Sequence, residues 1–304
     1  MHIVVVLNWH GRDDTLACVR SILDGEPDVE VLVVDNGSFD GALEELAPEP
    51  RVRTLQLDRN TGFSGGMNRG VERALADGAR VVTILNNDTV IPAGALSRLA
   101  ELSAGRRAVS PTVLYRDEPG RVWFGGGTLD MPDGYPHHTP DEALAPCADG
   151  IRTTELLAGC CITASAETWQ DVGLFDERFF LNFEDSEWSV RARGRGIRLL
   201  VACDVRILHA VSASFRGAAA SLGSFYFLRN GLLFSKLVGA DAGARARFLR
   251  RFALGGLRRA TWRQRRRALL VAAWATGAYA LRRFGEAPAP LQRTAARWQR
   301  QAMV

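Results

Sequence analysis

Short runs rich in β-branched and aliphatic residues recur through the first ninety positions, at Ile3–Leu7, Glu30–Val34, Val52–Leu57 and Val81–Leu85. Between them the apolar residues fall at helical spacing, over about 14–24, 40–46 and 65–77. Unbroken apolar runs belong to strands buried on both faces, and their alternation with helices predicts a parallel α/β sheet. Each run gives way to polar residues: Asn8-Trp9-His10, Asp35-Asn36-Gly37-Ser38, Asn60-Thr61-Gly62 and Asn86-Asn87-Asp88. Open α/β sheets bind ligands beyond the carboxyl ends of their strands, so these turns mark one rim as the candidate site.

Pro92 suits the first turn of a further helix reaching about Ser103. Residues 116–150 are rich in Gly, Pro, Asp and His, and include Gly125-Gly126-Gly127 and His137-His138. They predict a long irregular connection, a kind of segment that is usually functional or mobile. Order returns over Thr153–Ala164, and a helix is expected from about Ser186 to Arg195. Strands near 198–202 and 205–208 then lead into His209. From Ser221 the pattern is helical, interrupted at Gly255-Gly256, Pro288 and Pro290. The chain thus divides into an α/β domain, residues 1–220, and a helical, Arg-rich extension, residues 221–304.

Hydrophobic residues are 47% of the 304 and charged residues 24%. That balance excludes a disordered or collagen-like chain. The longest uncharged apolar stretch, Ala268–Leu281, falls short of the roughly 20 residues that a spanning helix needs. Ile3–Leu7 is too short for a signal-peptide core and follows no basic residue. Cys18, Cys147, Cys160, Cys161 and Cys203 are irregularly spaced and form no C-x-x-C pair. They predict neither a disulfide framework nor a zinc site, and point to a reducing, cytoplasmic compartment. The net charge of +4 conceals an asymmetry, −10 over residues 1–244 and +14 over residues 245–304. A basic tail on an acidic body suggests an anionic partner. Lys236 is the only lysine, so the choice of arginine in the tail carries no message about phosphate.

The polar turns and a later acidic pair make an ordered set: Asn8-Trp9, Val34-Asp35-Asn36-Gly37-Ser38, Asn60-Thr61-Gly62-Phe63-Ser64-Gly65-Gly66-Met67-Asn68, Asn87-Asp88 and Phe183-Glu184-Asp185. Over residues 1–235 this set resembles family 2 glycosyltransferases of the GT-A fold, in particular the bacterial rhamnosyltransferase-like branch. The resemblance implies a mostly parallel sheet flanked by helices. It also implies an inverting transfer from a nucleotide-diphosphate sugar.

By that resemblance Asp35 accepts a hydrogen bond from the pyrimidine N3–H of the donor. By its own chemistry, Asp-Asn-Gly-Ser equally makes an Asx turn that only reverses the chain. The glycines from Gly62 to Gly70 would let backbone approach a bulky ligand at a helix N-terminus that favours phosphate. Tight helix–sheet packing explains the same glycines, and the run is not a dinucleotide fingerprint. Asn8, Asn60, Gly65, Gly66, Asn68 and Asn87 complete the implied donor site. Asn86-Asn87-Asp88 occupies the place of the family's D-x-D motif and keeps only its last acid. Asp88 is then the implied ligand of Mg²⁺ or Mn²⁺ on the donor diphosphate, or else a cap for the helix near Pro92. His209 stands where relatives carry a histidine that completes the metal site, although a lone histidine is commonly structural.

Inversion needs one base to take the acceptor's proton, and the resemblance assigns it to Asp185. Glu184 beside it would raise its pKa by like charge. Acids at a helix start also serve the helix dipole alone. Glu184 and Glu187 are implied on the acceptor side, Glu187 with a structural role as its alternative. His137 and His138 cannot both chelate one ion from a regular element, and read as loop histidines near the acceptor.

Residues 245–284 interleave arginines with Phe248, Phe252, Leu257, Trp262, Leu269, Leu270, Trp274 and Tyr279. Such a pattern predicts contact with an anionic membrane surface. Packing on the catalytic domain and an oligomer contact compete with it, and nucleic acid lacks any supporting motif. The resemblance implies a glycan or lipid-linked acceptor at the inner face of the cell membrane, in cell-envelope polysaccharide synthesis. Asn87-Asp88 and Tyr226-Phe227-Leu228-Arg229-Asn230 resemble rhamnosyltransferases, making dTDP-rhamnose the first donor to try and a UDP-sugar the next. A sugar nucleotidyltransferase would carry a basic phosphate loop where Asn8-Trp9-His10-Gly11-Arg12 stands. A non-catalytic nucleotide-binding scaffold would have no need to keep both Asp88 and Asp185.

Overall fold

The computed structural model describes residues 1–131, 133–210, 218–254 and 261–300; the expected break at Gly255-Gly256 and Leu257 lies outside them. The four apolar runs are strands β1 (His2–Asn8), β2 (Val29–Asp35), β3 (Val52–Gln56) and β4 (Val81–Asn86). They are parallel, ordered β3-β2-β1-β4, with Asn8 beside Asp35, Asp35 beside Gln56 and Leu7 beside Asn86. Their polar ends therefore share one rim. The strand order reverses between β1 and β4, the position where sheets of this kind open a ligand crevice.

Helices α1 (Arg12–Gly25), α2 (Ala42–Leu46) and α3 (Gly62–Ala76) connect these strands. The two-residue β5 (Thr89–Val90) precedes α4 (Ala95–Leu102). Side chains alternate across a strand, and the core follows that rule. Val4, Val6, Val31 and Val33 pack with Leu16, Val19 and Ile22 of α1 and Leu96 and Leu99 of α4. Ile3, Val5, Leu32 and Val34 pack on the other face with Met67 and Val71 of α3. A methyl at Gly70 would lie 2.2 Å from Val5 Cγ1, and one at Gly66 2.5 Å from Leu7 Cδ1. These two glycines let α3 lie close on β1.

Beyond β4 come β6 (Arg107–Tyr115), β7 (Val122–Phe124), β8 (Gly127–Asp130), β9 (Tyr135–His138), β10 (Ile151–Thr153), β11 (Cys161–Ser165) and β12 (Arg198–His209). The sheet continues from β4 as β11-β6-β12-β10, with β11 antiparallel to both neighbours and β12 parallel to β6. Strands β8 and β9 pair separately, so the segment read as irregular holds short strands. The two strands expected near 198–202 and 205–208 are one, with a register shift between Ala202 and Arg206. At its far end β12 pairs with β5, His209 beside Thr89. Helices α5 (Ala166–Val172) and α6 (Glu184–Gly194) complete this part of the fold.

One cysteine pair departs from what a reducing compartment implies. Cys147 and Cys203 form a disulfide across 56 residues, while Cys18, Cys160 and Cys161 are buried thiols. The pair meets because β10 lies antiparallel on β12 and the Cys203 amide bonds Gly150 O at 2.7 Å, neighbours that sequence spacing does not reveal. Closing a loop of 56 residues removes about 4 kcal/mol of unfolded-chain entropy. Reduction, or Cys147→Ser, should therefore lower the unfolding free energy by about 2–4 kcal/mol. Urea titration with and without reductant measures this, and superimposed curves would show that the bond adds nothing.

Residues 1–128, 137–176 and 185–211 form one compact unit and 129–136, 177–184 and 212–304 a second. The second is built on α7 (Ala218–Leu237), with α8 (Ala242–Leu249), α9 (Trp262–Ala280) and α10 (Ala289–Arg300). Tyr135, Phe183, Phe227, Phe248 and Phe252 form an aromatic cluster, with Phe248 and Phe252 centroids 4.9 Å apart. Gly231 admits it, since a methyl there would meet Phe248 at 2.2 Å. Arg229 is fully buried against the rings of Phe225, Tyr226 and Phe284, and burial pulls its guanidinium down to about 10.

Candidate active site

At the rim, hydrogen bonds join the polar turns into one network. Asp35 is buried, and its carboxylate accepts from Ser38 N at 3.2 Å, Phe39 N at 2.7 Å and Gln56 Nε2 at 2.8 Å, and from the Ser38 hydroxyl. Burial alone would raise the Asp35 pKa; the bonds from Ser38, Gln56 and the Phe39 amide outweigh it and hold the carboxyl below its usual range. Asn8 donates to Asp40 at 2.9 Å and accepts from the Thr15 hydroxyl at 3.0 Å. Asn87 donates to the same hydroxyl at 2.9 Å. Asn36 donates to Asn60 Oδ1 at 3.1 Å and accepts from Thr61 N at 2.9 Å, tying the β2 turn to the entry of α3. Asn68 lies inside the domain, its amide bonding both N and O of Phe175 at 2.9 Å. Gly65 is buried in the first turns of α3.

The turn Asn87-Asp88 meets the end of β12 because β5 pairs there. Asp88 Oδ1 and His209 Nε2 lie 3.0 Å apart, and both side chains are largely buried. Asp88 Oδ1 and His209 Nδ1 have no hydrogen-bond partner among the described residues. Asn86 Nδ2 lies 3.3 Å from His209 Nε2, and the Trp123 ring packs edge-on to the imidazole at 4.9 Å. Asp88 is not the cap of α4, whose N-cap is Gly94. An oxygen left without a hydrogen bond and an imidazole nitrogen converging on it suit a divalent cation such as Mn²⁺ or Mg²⁺. No group of three His, Cys, Asp or Glu able to hold a metal occurs among the described residues, so the remaining ligands would come from elsewhere, phosphate oxygens included.

Asp185 stands in the first turn of α6, half-buried. Its Oδ2 accepts from Gly159 N at 2.9 Å and its Oδ1 from Ser186 N at 2.7 Å. The next residue, Cys160, gives its carbonyl to Asn86 N at 2.9 Å. Burial first, then the charges of Cys161, Asp88 and Asp185, push the Cys160 thiol well above its usual pKa. The Gly159-Cys160 turn therefore runs between the two candidate acids. A methyl at Gly159 would lie 3.2 Å from Asp185 Oδ2 and Cβ, tight enough to displace the carboxylate. With Asp185 as the base that the resemblance implies, Gly159→Ala should cut turnover about tenfold or more, since small misplacements of a reacting group are costly, with the melting temperature nearly unchanged. Steady-state kinetics beside thermal melting checks it; full activity would mean that Asp185 needs no such fixing.

Glu187 is committed elsewhere: both its oxygens pair with Arg191, at 3.0 and 2.9 Å. Arg191 in turn holds the carbonyl of Leu174 at 2.7 Å and that of Val172, so the pair secures the end of α5. Glu184 is buried at the head of α6. The helix is entered through Asn182 and Phe183, non-glycine residues at φ 71° and 74°. Asn230 Nδ2 holds that turn by bonding Leu181 O at 2.7 Å and Asn182 O at 3.2 Å. His138 packs edge-on to Trp123 at 4.8 Å and bonds its carbonyl through Nδ1 at 3.0 Å.

Sequence reasoning did not single out Asn36, Trp123 or Gly159. Asn36 stood in the motif, but its reach to Asn60 depends on where α3 starts. Trp123 and Gly159 carried no local signal.

Comparison with known proteins follows the same lines. The description of glycosyl transferase family 2 matches residues 3–146. The chain is 24% identical over 192 residues to the dTDP-rhamnosyl transferase RfbF of Shigella flexneri, covering 61% of each. It is 27% identical over 209 residues to the N-acetylglucosaminyl-diphospho-decaprenol L-rhamnosyltransferase of Mycobacterium tuberculosis, covering 60% of this chain and 67% of that one. With RfbF and the hexosyltransferase Agl10 of Haloferax volcanii, the match spans about three-fifths of the relative's length, 61% and 62%. Among solved structures, the mannosyltransferase PcManGT of Pyrobaculum calidifontis, in complex with GDP-Man and Mn²⁺, superposes with a TM-score of 0.56 at 18% identity, over 100% of this chain and 80% of that one. GalNAc-T7 with UDP, GalNAc and Mn²⁺ gives 0.57 at 16% identity, over 83% and 54%. The fold is the GT-A arrangement expected from the motifs.

Proposed function

The chain belongs, through residues 3–146, to glycosyl transferase family 2, and from that premise we propose that it moves a sugar from a nucleoside-diphosphate donor to a hydroxyl of a glycan or lipid-linked acceptor, inverting the anomeric centre. The observation that carries the reading is the convergence of Asp88 Oδ1 and His209 Nε2, 3.0 Å apart at the rim of the switch point. Donor contacts are assigned to Asn8, Asp35, Asn60, Gly65, Gly66, Asn68 and Asn87. Those of Asn8 and Asn68 are indirect, since both side chains are spent on holding the turns. Asp88 and His209 would hold Mg²⁺ or Mn²⁺. When bound, such an ion would neutralise charge on the departing diphosphate.

In the reaction, the acceptor oxygen bonds to the anomeric carbon as the bond from that carbon to the diphosphate oxygen breaks. The bonding pair leaves with the diphosphate, and the acceptor's proton passes to Asp185. Two backbone amides hold the Asp185 carboxylate in place, one on each oxygen. Glu184, and less directly Glu187, are assigned to the acceptor side. The rhamnosyltransferase relatives make dTDP-rhamnose the first donor to test, with a UDP-sugar as the second.

A role in cell-envelope polysaccharide synthesis, with the basic tail at the inner face of the cell membrane, belongs to the same proposal. No described helix is long and apolar enough to cross a membrane. The Cys147–Cys203 bond points the other way on compartment, because structural disulfides persist where it is oxidising. Following nucleoside-diphosphate release from each donor with a hydroxyl acceptor tests the activity, and the anomeric configuration of the product tests inversion. Retained configuration, or no turnover with any donor, would overturn the respective part.

A further inference from the structure

We propose that the exposed side of α9, with the end of α10, is a docking surface for an anionic phospholipid bilayer, headgroup phosphates lying among its arginines and its apolar side chains entering the interface. This deepens the proposal that the tail meets a membrane and replaces the whole of residues 245–284 by a specific surface. Phe248 and Phe252 are excluded, because they are spent in the aromatic cluster around Tyr135 and Phe227.

Helix α9 is anchored on its other side. Val271, Ala275 and Ala278 are buried, and a capping box of Thr261 with Gln264 fixes its start. What remains outward is unusual for a water-facing helix. Trp262 is 68% exposed, Leu270 47%, Trp274 39% and Leu281 65%. These residues recur at steps of three and four along Trp262, Arg266, Leu270, Trp274, Gly277 and Leu281, so they share one face. Isolated exposed apolar residues need no explanation, but a continuous stripe with two tryptophans does.

Charge identifies the partner. Arg263, Arg266, Arg267, Arg297 and Arg300 line a cleft of about 980 Å³ together with Trp262 and Trp298. Arg266 lies over Trp262 at 4.7 Å and Arg267 over Trp298 at 5.3 Å. Residues 261–300 hold nine arginines and a single acid, Glu286, which is bonded to Gln292. A second cleft, of about 300 Å³, adjoins the first through Leu270 and is lined by Trp274, Gly277, Leu281 and Pro288. A cationic cleft opening into an apolar groove matches a phosphate headgroup above an acyl chain. Arginine and tryptophan are also the side chains that settle at that depth. A second copy of this chain would bring the same positive charge to the contact, which disfavours self-association.

The test uses the full chain and vesicles of phosphatidylcholine, alone or mixed in equal parts with phosphatidylglycerol. The protein should sediment with the mixed vesicles and not with neutral ones. Each exposed arginine replaced in R263Q, R266Q and R297Q should weaken partitioning about fivefold. Trp274→Ser with Leu281→Ser should weaken it on mixed vesicles at unchanged melting temperature. Brominated lipid should quench wild-type tryptophan fluorescence, and Trp274→Phe should reduce that quenching, a readout that does not depend on the multiple variants folding. Equal binding to both vesicle types, no binding, or unaffected variants would overturn the proposal. So would a dimer that Trp274→Ser and Leu281→Ser dissociate, which would make the occupant a second copy. No donor or turnover enters the assay, so its failure leaves the transferase reading standing, and failure to bind nucleotide leaves this surface standing.

Discussion

Asp185→Asn is expected to lower kcat by roughly 10²–10⁴, the range a positioned general base supplies, while nucleotide affinity stays near that of the native chain. The substitution preserves size and the first turn of α6 but removes the proton acceptor. It also sets an amide NH₂ against one of the two backbone donors, Gly159 N or Ser186 N, that the carboxylate now satisfies. Leaving a donor unmatched costs about 1–3 kcal/mol, so a modest fall in melting temperature should accompany the kinetic loss. The two effects separate cleanly. A base leaves its mark on the acidic limb of the pH–rate profile, which should vanish in the variant, whereas a purely structural acid would lower the rate equally at every pH. Turnover within about tenfold of native, with the limb intact, would return Asp185 to the role of a helix-start acid.

How far the chain announced this arrangement depends on how local each signal was. The first four strands and their polar ends were legible, because a buried parallel strand reads as an apolar run and its end as a break in hydropathy. Asn8, Asp35 and Asn86 fell on one rim for that reason alone. The relations that complete the site are nonlocal. Asp88 meets His209 only because a two-residue strand, Thr89–Val90, pairs with the end of β12, and no periodicity is visible in two residues. The bulge in β12 read as two strands because Cys203-Asp204 interrupts the apolar pattern, although the pairing with β6 resumes at Arg206.

The glycine run from Gly62 shows the limit of a motif. Its pattern suggested approach to a ligand, yet Gly66 and Gly70 have backbone-packing reasons against Leu7 and Val5. Asn68 is clamped to Phe175, a residue 107 positions away. The pattern therefore serves packing first, and the donor contacts proposed for it rest on that packing. In the tail, composition marked residues 245–284 as basic and aromatic. It could not sort Phe248 and Phe252, which face a cluster, from Trp262 and Trp274, which face water. That sorting depends on which side of each helix meets α7.

Asp88→Ala should abolish the divalent-dependent part of nucleotide binding. In calorimetric titrations with dTDP and UDP, each with and without Mn²⁺, the native chain is expected to bind one nucleotide more tightly when the metal is present. The variant should bind both as the metal-free protein does. The loss should equal or exceed the roughly 10–100-fold that removal of an outer partner of a metal site costs, because Asp88 supplies the only carboxylate converging with His209 among the described residues. His209→Ala should behave alike, and the double variant should be little worse than either single one, since losses of two ligands to one ion do not add. Additive losses would instead mean two independent contacts. The alternative of a purely structural pair makes an opposite forecast. Asp88 Oδ1 is buried without a hydrogen bond among the described residues, so removing it should leave the melting temperature of the metal-free protein unchanged or raise it. A large fall in that temperature, with metal-dependent binding intact, would make Asp88 and His209 a structural pair and leave the donor diphosphate to be held by the rim alone.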